Sequence, residues 1–175
     1  NFTINFFIMK SLKTPLRYPG GKSRAVTKMV QYLPDMNKYK EYREPFLGGG
    51  SVALHMTQTY PHLEVWVNDL YEPLVNFWQQ LQDNGNEIAT RLKTFKTAYP
   101  TPDRARELFI ESKELVNDQK QSDITRAVSF YVVNKCSFSG LTESSSFSKQ
   151  ASDSNFSLRG IEKLPEYSEI IQNWV

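Results

Sequence analysis

Sulfur cross-links are the first thing this chain lacks. Cys136 is the one cysteine in 175 residues, which excludes an internal disulfide framework and a cysteine-built zinc cage and fits a reducing, cytosolic setting. Long apolar runs are missing too: nothing approaches the roughly 20 residues that a membrane-spanning helix needs, so no membrane role is expected. The two histidines, His55 and His62, fall in a helix and a turn without metal-ligand spacing, and no metal is expected. Charge of one sign is scarce, with 21 Lys and Arg against 19 Asp and Glu, and a net +2 neither demands nor forbids a polyanionic partner. No internal repeat supports a solenoid or propeller. Asn1 to Ile8 is apolar without a leading basic region, a poor secretory signal; Met9 followed by Lys10 is a candidate start, and residues 1–8 are left out of the functional argument.

The remainder is an ordinary globular composition, 39% hydrophobic and 23% charged, enough for one domain with an insertion and cramped for two. Arg17 to Lys22 (RYPGGK) forms a Pro-Gly-Gly turn, and Ser23 can cap a helix to about Leu33 with Val26, Met29, Val30 and Leu33 on one face. Tyr42 to Leu47 predicts a strand entering the glycine run Gly48-Gly49-Gly50, after which Ser51 opens a helix. Leu63 to Val67 predicts a second strand ending at Asn68-Asp69, and Glu72 to Gln82 has helical spacing. This βαβα alternation predicts a parallel sheet whose ligands bind beyond the carboxyl ends of the strands, where Gly48 and Asp69 stand. From Asn86 the pattern turns helical, at about 86–96, 102–117 and 122–134. Ser137 to Ser157 follows with nine serines in 21 positions, a predicted loop or weak hairpin, and then a short helix near Glu166 to Asn173.

The most informative segment is EPFLGGGSV, Glu44 to Val52. A glycine turn between strand and helix lets backbone approach a ligand closely, and a carboxylate at the strand end can receive an ammonium or a ribose hydroxyl. Gly48, Gly50 and Ala53 also satisfy GxGxxA with Asp69 about 20 residues on, so a dinucleotide site competes on equal terms. Glu44 tips the balance, since a pyrophosphate is repelled by a neighbouring carboxylate whereas the ammonium of a methionine moiety is attracted. RYPGGKS is no P-loop, because the required first glycine position holds Leu16. Asn134 to Leu141 (NKCSFSGL) ends a helix with an amide, a cation, hydroxyls and an aromatic, all useful against phosphate and base edges, though a plain helix C-terminus reads equally well. Cys136 follows Lys135 rather than proline and has no base partner in sequence, so it is expected to be a small, partly buried residue.

Taken in order, RYPGGK, EPFLGGGSV, Asn68-Asp69 and NKCSFSGL resemble the Dam-type (D12 class) DNA adenine-N6 methyltransferases over roughly Thr14 to Leu141. The resemblance implies an α/β, Rossmann-like S-adenosylmethionine-dependent fold, incomplete in this chain, with a helical target-recognition insertion. The division implied is a cofactor-binding part at 10–82, the insertion at 83–160, and a return toward the methyltransferase core at 161–175. S-adenosyl-L-methionine would be held by Tyr18, Lys22, Glu44, Pro45, Phe46, Gly48, Gly50 and Asp69. Asn134, Lys135, Ser137 and Ser139 would contact double-stranded DNA carrying a flipped adenine. Members that read GATC carry an arginine shortly after the Gly-Leu pair, where this chain has Thr142 and Glu143, so no target sequence is implied.

One departure stands out. None of the nine prolines follows Asp or Asn and no two are adjacent, so the Asp-Pro-Pro-Tyr type motif that positions the adenine amino group is absent from these residues. No catalytic residue is therefore assigned, and cofactor or DNA binding without turnover is expected. The ending at Trp174-Val175 suits a truncated product whose incomplete sheet leaves an apolar edge or face open to self-association.

Overall fold

The computed structural model describes residues 11–140 and 144–175. Leu141, Thr142 and Glu143, and the candidate start at Met9, lie outside the described residues. A 3₁₀ turn at Lys22–Arg24 leads into α1 (Val26–Val30), shorter than the helix expected from Ser23 to Leu33. Ser23 sits inside the 3₁₀ turn rather than at a cap, and Leu33 precedes Pro34, where α-helical backbone is sterically disfavoured.

The strands are β1 (Glu41–Glu44) and β2 (Glu64–Val67), paired in parallel with Glu41 opposite Glu64 and Glu44 opposite Val67. Parallel neighbours need a crossover, supplied by α2 (Ser51–Thr59), which buries Val52, Ala53, Leu54 and Met56. The other edge of β2 is taken by the chain at Trp174-Val175: the Val67 N–H donates to the Val175 carbonyl at 2.9 Å, and the Val175 N–H donates to Val65 at 3.0 Å.

Helix α3 (Glu72–Ala98) is 27 residues long and carries one non-helical residue, Asn84, at φ −132° and ψ 30°. The two helices expected at 72–82 and 86–96 are thus one element with a kink between them, and the expected boundary at residues 82 and 83 falls beside that kink. Its buried stripe, Leu74, Phe77, Trp78, Leu81, Ile88 and Leu92, follows the three-and-four spacing of a helix buried on one face. After α4 (Pro102–Leu115), capped by the Thr101 side chain, α5 (Asp123–Cys136) is capped by Ser122 and packs Phe130 and Tyr131 on Phe77, with ring centroids 5.4 and 6.1 Å apart. Aromatic burial on this scale contributes roughly 1.5 to 3 kcal/mol per side chain. Arg126, 3% exposed, ties this layer together: its guanidinium pairs with Glu72 at the start of α3 and donates to the Val116 carbonyl at 3.2 Å.

The serine-rich stretch departs from the loop expected of it. Its first part does close as a hairpin, through an antiparallel bridge between Ser137 and Phe147. Its second part is helical, α6 (Lys149–Asn155), because the Ser148 side chain accepts from the Ala151 N–H as a cap. Ser157 does the same for α7 (Leu158–Glu162), and α8 (Leu164–Ile171) then packs on α3.

Gly85 marks where α3 and α8 approach too closely for a side chain: a Cβ there would lie 1.9 Å from Ser168 Oγ and 3.4 Å from the Leu164 carbonyl oxygen. Ser168 already donates to the Leu81 carbonyl, so it cannot move without losing a bond. Gly85→Ala is expected to destabilise the chain by about 1 to 3 kcal/mol despite alanine's better helix propensity, as measured by urea unfolding. Unchanged or raised stability would show that the crossing is looser than this.

Candidate functional site

The site is built where β1 ends. The parallel ladder extends one step past Glu44, with the Asn68 N–H donating to the Glu44 carbonyl at 2.9 Å and the Leu47 N–H donating to the Asn68 carbonyl at 2.8 Å. From there the chain turns through Gly48 and Gly50, at φ +51° and +69°, into α2. A Cβ on Gly50 would stand 2.7 Å from the Trp78 ring, so backbone conformation and close approach both demand glycine there. Trp78 Nε1–H donates to the Gly48 carbonyl at 3.2 Å, and the Gly48 N–H donates to Asp69 Oδ2 at 2.8 Å. The strand-end turn is therefore gripped from α3 on one side and from the end of β2 on the other.

A cavity of about 290 Å³ opens over this turn. Seven of the eight residues singled out in the sequence line it: Tyr18, Lys22, Glu44, Phe46, Gly48, Gly50 and Asp69. Pro45 instead lines an adjoining apolar cavity of about 220 Å³ against Val26, Met29 and Leu33. Beyond Asp69 a third space, about 120 Å³, lies between Trp78, Trp174 and Leu47.

Glu44 is the chemically loaded group. It is 7% exposed, its Oε2 makes no hydrogen bond among the described residues, and the Lys22 ammonium stands 3.8 Å from Oε1. Burial raises its pKa, opposed by the Lys22 charge, the Ala53 amide and the Tyr42 hydroxyl. Ser51 Oγ, also lining the cavity, is buried without a partner as well, and sequence reasoning missed it. Unpaired buried acceptors are costly unless something arrives to meet them, and an acid-lined cavity suits a ligand presenting an ammonium or hydroxyls rather than a phosphate.

Asp69 is a structural carboxylate as well as a lining residue. Besides Gly48 it accepts from the Tyr71 N–H at 3.1 Å, which orders the entry to α3. Tyr18, raised in pKa by burial and by Asp69, lays its ring over Gly48, where a Cβ would meet ring carbon at 3.1 Å.

The segment after α5 is unevenly exposed. Asn134 and Ser137 are 0% exposed, so in this conformation neither presents a surface to DNA. Asn134 accepts from the Arg17 N–H at 3.0 Å and donates to the carbonyls of Arg17 and Gly140, at 2.6 and 2.9 Å. Lys135 is half-buried with its ammonium over the Tyr131 ring, and burial pushes its pKa down to about 8, helped by Arg17. Ser139 is half-buried, whereas Phe138, the aromatic of the NKCSFSGL motif, is 76% exposed. Cys136 is 0% exposed and its thiol is pushed up to about 12 by burial, an inert group rather than a nucleophile. The backbone around it pairs with the returning chain, Phe138 N–H to Ser146 at 3.1 Å and Ser148 N–H to Cys136 at 2.8 Å.

Comparison with known proteins gives the class first: three curated relatives are methyltransferases by name. Residues 18–175 match the family model of the D12 class N6 adenine-specific DNA methyltransferases, and the chain belongs to that family. It is 25% identical over 137 residues to the Type II methyltransferase M.MjaIII of Methanocaldococcus jannaschii, covering 74% of this chain and 47% of that protein. It is 30% identical over 126 residues to the DNA N-6-adenine-methyltransferase of Escherichia phage P1, covering 72% of this chain and 15% of that protein. The Type II methyltransferase M1.LlaDCHI of Lactococcus lactis subsp. cremoris is 24% identical over 134 residues, with 43% of its length covered. The chain thus spans less than half the length of these relatives.

The state of Glu44 yields a stability prediction. Because its folded pKa is raised, folding favours the protonated acid; that contribution is present at acid pH and lost as pH rises through the raised value. At neutral pH the buried carboxylate therefore weakens the fold, and Glu44→Gln is expected to stabilise the ligand-free chain there by on the order of 1 kcal/mol. The gain should shrink toward acid pH. Thermal unfolding of both proteins between acid and neutral pH checks this, and a destabilised Gln variant at neutral pH would contradict it.

Proposed function

We propose that this chain forms the cofactor-binding and DNA-facing part of a DNA adenine-N6 methyltransferase that uses S-adenosyl-L-methionine as methyl donor. The observation that carries the reading is Glu44, a buried carboxylate with an unpaired oxygen at the end of a parallel strand. In this reading Glu44 and Ser51 meet the methionine ammonium, and Gly48 and Gly50 let the backbone approach it. Lys22 opposes the pull of burial toward the protonated acid, Tyr18 and Phe46 wall the ligand, and Asp69 holds the turn and offers an acceptor to the ribose. Pro45 fixes the chain between the two cavities at β1's end. When bound, S-adenosyl-L-methionine would supply an electrophilic sulfonium methyl; these residues bind and orient it and keep water from it.

The two parallel strands, with Val175 alongside β2, would be part of a Rossmann-like sheet, and residues 83–160 the target-recognition insertion. The partner is double-stranded DNA with its adenine flipped out. Lys135 and Ser139 would face phosphate, the exposed Phe138 would stack on or between bases, and Asn134 and Ser137 would act by shaping the loop. The adenine-holding Asp-Pro-Pro-Tyr type motif is not among these residues, so these residues by themselves are expected to bind without turning over. A cytoplasmic setting in a bacterium or phage-infected cell belongs to the same reading, as does self-association through an incomplete sheet.

Calorimetric titration with S-adenosylhomocysteine, with NAD as control, tests it. The expected result is binding of the former alone, weakened on the order of 1 to 3 kcal/mol in Asp69→Ala through lost charge-assisted hydrogen bonds. Binding of NAD alone would point to a dinucleotide-dependent oxidoreductase. Retention on DNA with no affinity for either ligand would point to a noncatalytic DNA-binding module. An unchanged dissociation constant in Asp69→Ala would remove that residue from the site.

A further inference from the structure

Arg17 and Tyr18 are consecutive residues held by opposite parts of the molecule. The Arg17 backbone is bonded through both its N–H and its carbonyl to the Asn134 side chain. Its guanidinium donates to the Ser137 carbonyl at 2.7 Å and the Phe138 carbonyl at 3.1 Å, the two residues that open the post-α5 loop. Gly140, at φ +75°, lies so close that a Cβ on it would stand 2.5 Å from the Arg17 carbonyl oxygen. Tyr18 faces the other way. Its ring covers Gly48, its own Cβ would meet a Cβ on Gly49 at 3.1 Å, and its carbonyl accepts from Gly21 to close the turn that presents Lys22 to Glu44.

We propose that Arg17 is a positioning residue that makes the loop carrying Phe138 and Ser139 and the turn carrying Gly48 one mechanical unit, so that occupancy of the cavity and the geometry of the loop control each other. The claim rests on the reading of the cavity as the methyl-donor site, but the linkage itself is a matter of contact. Little slack separates the two ends: Asn134 has both amide hydrogens and its oxygen engaged within this cluster, and Tyr18 supplies the atoms nearest to where a Cβ would stand on Gly48 and Gly49. Packed contacts of this kind pass displacement on rather than absorb it. Coupling between two binding equilibria is also reciprocal, so a ligand that fixes Gly48 must favour one loop geometry, and a partner that fixes the loop must favour the ligand. In a methyltransferase this would make the DNA-facing loop ready when the donor is in place.

Residue-resolved amide exchange on the chain tests the link without a ligand. Two amides report the loop, Phe138 bonded to Ser146 and Ser148 bonded to Cys136; two report the turn, Gly48 bonded to Asp69 and Gly50 bonded to Leu47. Gly140→Ala wedges the Arg17 carbonyl from the loop side, and Arg17→Ala removes the guanidinium with its aliphatic stem, leaving the backbone bonds to Asn134 to hold the fold. Each is expected to speed exchange roughly tenfold at both pairs of amides, with Arg17→Lys restoring part of the loss through one retained bond. Faster exchange at the loop amides alone, or at neither pair, would overturn the proposal. In a second arm, S-adenosylhomocysteine should slow the loop amides of the unaltered chain and lose that effect in Arg17→Ala. Slowing confined to Gly48 and Gly50 would also overturn it, whereas failure of the ligand to bind the unaltered chain would count against the methyl-donor reading and leave the ligand-free result to decide the link.

Discussion

Glu44 is 7% exposed at the end of β1, with one carboxylate oxygen unbonded and a lysine 3.8 Å from the other. Holding an ionisable group there works against folding, and the neighbouring architecture is what makes it tolerable. Lys22 can stand near it because the Pro-Gly-Gly turn is closed by the Gly21 to Tyr18 bond. The glycine run can pass over it because Gly48 and Gly50 adopt left-handed backbone and Trp78 and Asp69 grip the turn from both sides. Remove the requirement for an acid at that strand end, and the glycines, the lysine and the aspartate lose their common purpose.

The helical layer gives the site its second boundary. Phe77 is packed under Phe130 and Tyr131, which fixes α5 against α3. The end of α5 then places Asn134 where it can take hold of Arg17. The post-α5 loop and the cavity are consequently set by one core, and under the proposed reading of this D12 class N6 adenine-specific DNA methyltransferase chain that core would hold a donor cavity and a DNA-facing loop in one frame.

Much of this was legible in the sequence where the determinants are local. The glycine run between a strand and a helix, the acid before it and Asn68-Asp69 after the second strand are read from neighbours a few residues apart, and of the eight residues that the family resemblance of these motifs and RYPGGK implied, seven line one space. The roles of Asn134 and Arg17 were not legible, because their partnership spans 117 residues and an asparagine at a helix end carries no mark of a distant partner. The serine-rich stretch misled for a different reason. Serine composition favours loops on average, but Ser148 and Ser157 stand at the positions where a hydroxyl starts a helix, and position outweighed composition. Ser51 was passed over because nothing in its local context shows that α2 buries its hydroxyl.

The most direct measurement of the central claim is the titration of the Glu44 carboxyl carbon by nuclear magnetic resonance, with and without S-adenosylhomocysteine. A ligand ammonium beside the unpaired oxygen favours the ionised carboxylate, so the account predicts that the raised midpoint of the free chain falls when the ligand is added and that protons are released on binding. A midpoint that stays in place or rises at saturating ligand would contradict it, because Glu44 would then be buried for a reason other than receiving a cation.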